Sequence, residues 1–97
     1  MRAVVYKEPA EFIWDKGNRG KNLKRHKVGD RECEEVFFDE NKQDYPDPRH
    51  SNSESRKIIV AKTKEGRPLL IAYTVRKGKV RIISARDLNK KREIHLL

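Results

Sequence analysis

Two groups of residues in this chain have the types and spacing to act on a phosphodiester. The first is the run Lys24-Arg25-His26, where one titratable imidazole stands among cations. The second is a set of arginines, Arg56, Arg76, Arg81 and Arg86, lying on or at the ends of apolar, β-branched stretches. Arginine is planar and permanently charged, its forked donors fit phosphate oxygens, and a strand fixes where they point. Histidine gains and loses a proton near neutral pH. RNA carries its own nucleophile, so such groups meet the needs of its cleavage. They remove the proton of the 2′-hydroxyl, stabilise charge on the phosphorane and protonate the leaving 5′-oxygen. The same cations suit a surface that binds nucleic acid without cutting it, and composition alone favours that reading. A charged scaffold that only recruits a protein is a further alternative.

The elements that must position these residues are readable in outline. The stretches Lys57–Lys62, Pro68–Arg76 and Lys79–Arg86 are joined by the turns Lys64-Glu65-Gly66 and Lys77-Gly78, which predicts an antiparallel meander. Strict alternation along the last strand puts Arg86 on one face with Ser84, and Arg81 on the other. This strand runs into a polar segment with Lys90, Lys91 and Arg92, placed to guide a nucleic-acid backbone, and a final helix is expected from Leu88 to Leu97. Upstream, Phe12-Ile13-Trp14 reads as a short strand. Asp15 is placed to cap a helix from near Lys16, although Gly17 and Gly20 disfavour it and Leu23 is its only large apolar residue before Val28. Asp30 reads as the N-cap of a second helix over about 31–38, with Cys33, Val36 and Phe37 on one face. Asn41 to Ser55, with Pro46 and Pro48, reads mostly as loop. The expectation is one α+β domain over residues 1–97, with two N-terminal helices, an antiparallel sheet and a C-terminal helix.

The totals limit what such a domain can do. Twenty-four Lys and Arg against fifteen Asp and Glu give a formal charge of +9, which favours anionic partners. Charged residues make up 40% of the chain and the mean hydropathy is −0.99, yet the apolar residues are gathered into segments, as a folded core requires. No apolar run is long enough to span a membrane, and no signal-peptide pattern opens the chain. Cys33 is alone, so no internal disulfide forms and the cytosol is the expected compartment; the thiol reads as half-buried and structural. His26, His50 and His95 are far apart and lack metal-ligand spacing, so no metal or cofactor is expected. Ser84 has no nucleophile elbow around it, and no glycine-rich phosphate loop follows a strand. A basic block from Lys16 to Lys27 precedes an acidic block from Asp30 to Glu40, a sign change that suggests two partners of opposite charge.

Five segments share one further property. Phe12-x-Trp14-Asp15, Asn22-Leu23-Lys24-Arg25-His26-x-Val28 and Glu34-Glu35-Val36-Phe37-Phe38-Asp39 resemble, in order, segments of the BrnT toxins. So do His50-Ser51…Glu54-Ser55-Arg56 and Gly78-Lys79-Val80-Arg81-Ile82-Ile83-Ser84-Ala85-Arg86. The resemblance runs from about Phe12 to Arg92. It implies a RelE-like fold and metal-independent endoribonuclease activity that blocks translation. It also implies neutralisation by a BrnA-type antitoxin of the ribbon-helix-helix class, which carries the toxin to operator DNA. The family's Lys-His pair falls on Arg25-His26, with Lys24 one place earlier, and its strand arginines fall on Arg56, Arg76 and Arg86. Arginine in place of the lysine stabilises charge but cannot act as a base, which moves that role to His26. Lys27 stands where a glycine usually follows the histidine, which disturbs the expected helix end. Residues 1–11 have no counterpart and are expected to form an added edge strand or an arm.

Overall fold

Alternation of apolar and polar side chains through the second half of the chain builds the sheet that everything else rests on. A computed structural model describes residues 11–50, 54–93 and Leu96. Among them, β1 (Phe12–Ile13), β2 (Gln43–Pro46), β3 (Arg56–Lys62), β4 (Pro68–Arg76) and β5 (Lys79–Asp87) form one sheet in the order β1-β5-β4-β3-β2. The three long strands are the expected antiparallel meander. Lys77 and Gly78 both take positive φ (51° and 78°), the pairing of a type I′ turn, which matches the twist of the strands it joins. The sheet is mixed rather than wholly antiparallel, because β1 runs parallel to β5 through Phe12–Val80 and Ile13–Arg81.

One face carries the core. Ile59 and Ala61, Leu69, Ile71 and Tyr73, and Val80, Ile82 and Ala85 are buried together with Val28, Cys33, Val36 and Phe37. Phe37 sits at its centre, edge-on to Phe12 (ring centroids 5.4 Å apart) and to Tyr73 (5.0 Å). Cys33 is fully buried, not half-buried as expected. Burial, with Asp30, Glu32 and Glu34 nearby, pushes its thiol up to about 12, so it is inert packing.

The helices are shorter than the sequence pattern suggests. Residues 16–20 form turns, and α1 occupies only Lys21–His26. Asp15 caps the turn by accepting the Gly17 N–H (2.8 Å) instead of starting a helix, and Gly20 enters α1 at φ 71°. α2 covers Asp30–Glu35 and tightens into a 3₁₀ turn over Val36–Phe38. Its N-cap is Gly29 rather than Asp30, with Glu32 accepting the Gly29 N–H (3.0 Å); the Asp30 carboxylate reaches back to the N–H of Gly20. Only Lys90–Glu93 of the expected terminal helix forms α3 among the described residues, and residues 1–10 and His95 lie outside them. The stretch expected as loop contains β2, an edge strand paired with β3 and tied by Tyr73 Oη donating to Asp44 (2.7 Å).

Lys27 closes α1 in the left-handed conformation (φ 59°, ψ 32°), its N–H and that of Val28 bonding the carbonyls of Leu23 and Asn22. Lysine thus adopts the backbone that glycine would take, at a steric cost. Lys27→Gly should therefore raise stability by about 1 kcal/mol, read as a higher urea midpoint at unchanged slope.

Candidate functional site

The edge of β5 positions α1, whereas the candidate arginines are spread over β3, β4 and β5. β1 pairs with β5 only as far as Arg81, and two buried asparagines continue the edge beyond it. Asn18 Nδ2 donates to the carbonyls of Ile13 (2.9 Å) and Ile82 (3.0 Å), and Asn22 Oδ1 accepts the Ala85 N–H (2.9 Å). These bonds seat α1 along the strand and turn Leu23, Lys24, Arg25 and His26 outward, all exposed. Asn22 fills the inward position an apolar residue would otherwise take, which is why apolar periodicity did not reveal the helix.

A bulge changes the arginine arrangement. Ala72 pairs with Ser84 but Tyr73 pairs with Ile82, leaving Ile83 as the extra residue. Arg81 pairs with Thr74, Ser84 with Ala72 and Arg86 with Leu70, and these three partners share one face of β4. Arg81 therefore lies on the same face as Ser84 and Arg86, correcting the expectation from strict alternation. Arg56 also pairs with Thr74, from β3, and Arg76 lies two residues further along β4 on that face. The face away from the core thus carries Arg56, Arg76, Arg81, Ser84 and Arg86.

These arginines form two groups. Arg81 and Arg86 lie opposite residues four apart on β4, about 13 Å along the strand, too far to grip one phosphate together. At the hairpin end, Arg76 binds Glu54 through both Nε and Nη2 (the latter 2.9 Å), and Arg81 donates to Asp15 (3.0 Å). Arg76 foremost, with Arg81 and Arg56 adding, holds the Glu54 carboxyl below the usual range. At the other end, Arg86 grips Glu93 with both terminal nitrogens (2.9 and 2.8 Å) and donates to the Asp87 carbonyl (3.2 Å). A bidentate carboxylate takes the position that two phosphate oxygens would take. Arg67 holds the Asp87 carboxyl down and also donates to the carbonyl of Lys27, the residue after His26, so the end of α1 and the end of β5 meet at one guanidinium. His26 and Arg86 therefore flank the end of β5, while Arg56, Arg76 and Arg81 lie at the far end. Lys91 and Arg92 are exposed on α3, which also contains Lys90.

The Arg86–Glu93 pair predicts an acid response. Arg86 first, then the Asn89 N–H, lowers the Glu93 carboxyl from 4.5 to about 2. A depressed carboxyl contributes stability above its unfolded value and loses it as pH falls through the folded one. Melting temperature of the natural chain should thus fall more steeply than that of Glu93→Gln between pH 4.5 and about 2, the contribution of Glu93 being spent at the lower limit.

Several members of this arrangement have roles that the sequence did not assign them, although Asp15, Asn22 and Glu54 stand in the segments of resemblance. Asp15, Glu54 and Glu93 hold arginines, Asn18 and Asn22 extend the strand edge, and Arg67 joins four segments. Asn18 and Asn22, four apart between basic residues, were the available signal. Among the described residues, no group of three or more His, Cys, Asp or Glu is placed to hold a metal, and no helix is long and apolar enough to cross a membrane.

A strongly basic α+β fold with a row of arginines on one sheet face and a histidine at its edge has the make-up of a protein that handles polyanions. The family model described as the ribonuclease toxin BrnT of type II toxin–antitoxin systems matches residues 14–92. The chain belongs to this BrnT family of ribonuclease toxins, which makes RNA its target and an antitoxin its partner. No curated protein matches the chain.

Proposed function

We propose that this chain is a single-domain, RelE-like cytoplasmic toxin that cleaves RNA by attack of the 2′-hydroxyl, without a metal ion, and so arrests translation. The observation that carries the reading is that, in a chain of the BrnT family, Arg67 ties the His26 end of α1 to the end of β5 that carries Arg86. His26 is the proton-transfer residue. Lys24 and Arg25 beside it supply positive charge, and Arg86 stabilises the phosphorane once a phosphate displaces Glu93. Arg56, Arg76 and Arg81 hold a phosphate further along the strand, with Ser84 between the two groups. Lys90, Lys91 and Arg92 guide the RNA backbone or meet an acidic segment of the antitoxin. That antitoxin is of the BrnA-like ribbon-helix-helix type and links the toxin to operator DNA.

The test is incubation with RNA in EDTA. Fragments ending in 2′,3′-cyclic phosphate are expected. Retention of intact RNA would make the chain a non-catalytic binder, and failure to bind RNA above a neutral control at physiological salt would leave only a protein-recruiting scaffold.

A further inference from the structure

Arg67 enters β4 just after the turn that joins it to β3, where both sides of its backbone are fixed. Its carbonyl accepts the Thr63 N–H (2.9 Å), and its own N–H donates to Thr63 Oγ1 (3.1 Å). From this anchored position its guanidinium reaches three other segments. Nε and Nη2 donate to the two oxygens of Asp87 at the end of β5 (2.7 and 3.1 Å). Nη1 donates to Glu32 of α2 (3.0 Å) and to the carbonyl of Lys27, the residue after His26 (3.0 Å). Glu32 in turn caps α2 through the Gly29 N–H. All three guanidinium nitrogens are engaged, and carboxylates flank the group on two sides, so it is not arranged to receive an RNA phosphate.

The Lys27 carbonyl is the significant contact. α1 is six residues long, too short to be rigid by itself, and it ends in an unfavourable left-handed lysine. Its start is held to β5 through Asn22, whereas its His26 end is held to the sheet through Lys27 and Arg67. The same guanidinium fixes Asp87, the neighbour of Arg86. We infer that Arg67 is a positioning residue that sets His26 relative to Arg86, by clamping the end of α1 and the end of β5 in one fork. Lysine cannot reproduce this, because a single ammonium lacks the planar fork that serves two carboxylates and a carbonyl together. The inference rests on His26 being the proton-transfer group, and its test separates the two ideas.

Four proteins form the test: the natural chain, His26→Ala, Arg67→Gln and the double variant. Single-turnover cleavage of a short RNA is measured at saturating protein, and affinity is measured with the all-2′-deoxy oligonucleotide. Misplacing a reacting group by about 1 Å costs up to about 10²-fold, so Arg67→Gln should slow cleavage on that scale. Affinity should stay within about twofold, and adding Arg67→Gln to His26→Ala should slow cleavage by no more than about twofold further. A merely structural role would slow both backgrounds alike and overturn the inference. Natural-rate cleavage by Arg67→Gln, with His26→Ala inactive, would overturn it while sparing the cleavage mechanism. Natural-rate cleavage by His26→Ala would instead remove the mechanism on which it rests. If Arg67→Gln does not fold at the assay temperature, Arg67→Lys takes its place; slowed cleavage at unchanged affinity supports the clamp, and the natural rate overturns it.

Discussion

Replacing His26 and Arg86 together by alanine is expected to abolish RNA cleavage and growth arrest while the protein still folds. Positioned acid–base catalysis contributes about 10²- to 10⁴-fold, and loss of one preorganised charge-stabilising donor costs about 10²- to 10³-fold. Either single variant should therefore fall below growth-arresting activity in a sensitive assay, and the double should show less than the product of the two losses. Folding should survive because His26 is exposed and is not part of the core. The Arg86 side chain is 42% exposed and lies outside the core, so loss of its pair with Glu93 lowers stability without unfolding the domain. Circular dichroism and gel filtration of the purified double variant, alongside its expression in growing cells, check both halves. Undiminished toxicity of that soluble variant would refute the site.

Phe37→Ala should have the largest effect on stability. Phe37 is fully buried, and its ring meets Phe12 of β1 and Tyr73 of β4 edge-on, so it joins the 3₁₀ turn after α2 to both the edge and the centre of the sheet. Removing a buried phenyl ring costs about 3–5 kcal/mol, a large share of the roughly 5–15 kcal/mol available to a small domain. At about 4–8 °C per kcal/mol, the melting temperature should drop by at least about 12 °C. Phe38→Ala is the control: Phe38 is 47% exposed, and the same truncation there should shift the transition far less.

The meander was legible because Lys57–Lys62, Pro68–Arg76 and Lys79–Arg86 alternate against one buried face and are separated by short turns. β2 was hidden because Gln43-Asp44-Tyr45-Pro46 buries little, and its pairing depends on long-range bonds such as Tyr73 to Asp44. α1 was obscured for a different reason. Its inward residue is Asn22, whose amide serves the open edge of β5, so the helix lacks an apolar stripe. The face of Arg81 could not follow from a period of two once a bulge intervened; the adjacent Ile82-Ile83 pair, interrupting the alternation, was its one visible mark. The candidate residues themselves were chosen from residue types and from family resemblance. Their division into a His26–Arg86 group and an Arg56–Arg76–Arg81 group depends on strand register; Asp15 and Glu54 lie in segments of the resemblance, but nothing in those segments says which arginine each holds, and Glu93 lies outside them.

The division also gives the other segments of family resemblance a physical role. Phe12 packs on Phe37, Trp14 Nε1 donates to Glu34 (2.7 Å), and Asp15 holds Arg81. Glu54, in the segment before β3, holds Arg76. Asp15 and Glu54 orient cations, whereas Phe12 and Trp14 fix β1 and the chain after it against the 3₁₀ turn and α2. A Cβ on Gly17 would come within 2.8 Å of the Arg81 guanidinium, so the loop after β1 is shaped around that side chain as well.

The central claim is that RNA is cut by its own 2′-hydroxyl with His26 moving the proton. The most direct measurement uses an RNA oligonucleotide that the purified chain cleaves at one mapped position in EDTA, compared with the same strand carrying a single 2′-deoxy residue immediately 5′ to that bond. The account predicts that cleavage at that bond is lost while affinity is retained. Cleavage of the 2′-deoxy strand at the same bond and a similar rate would contradict it.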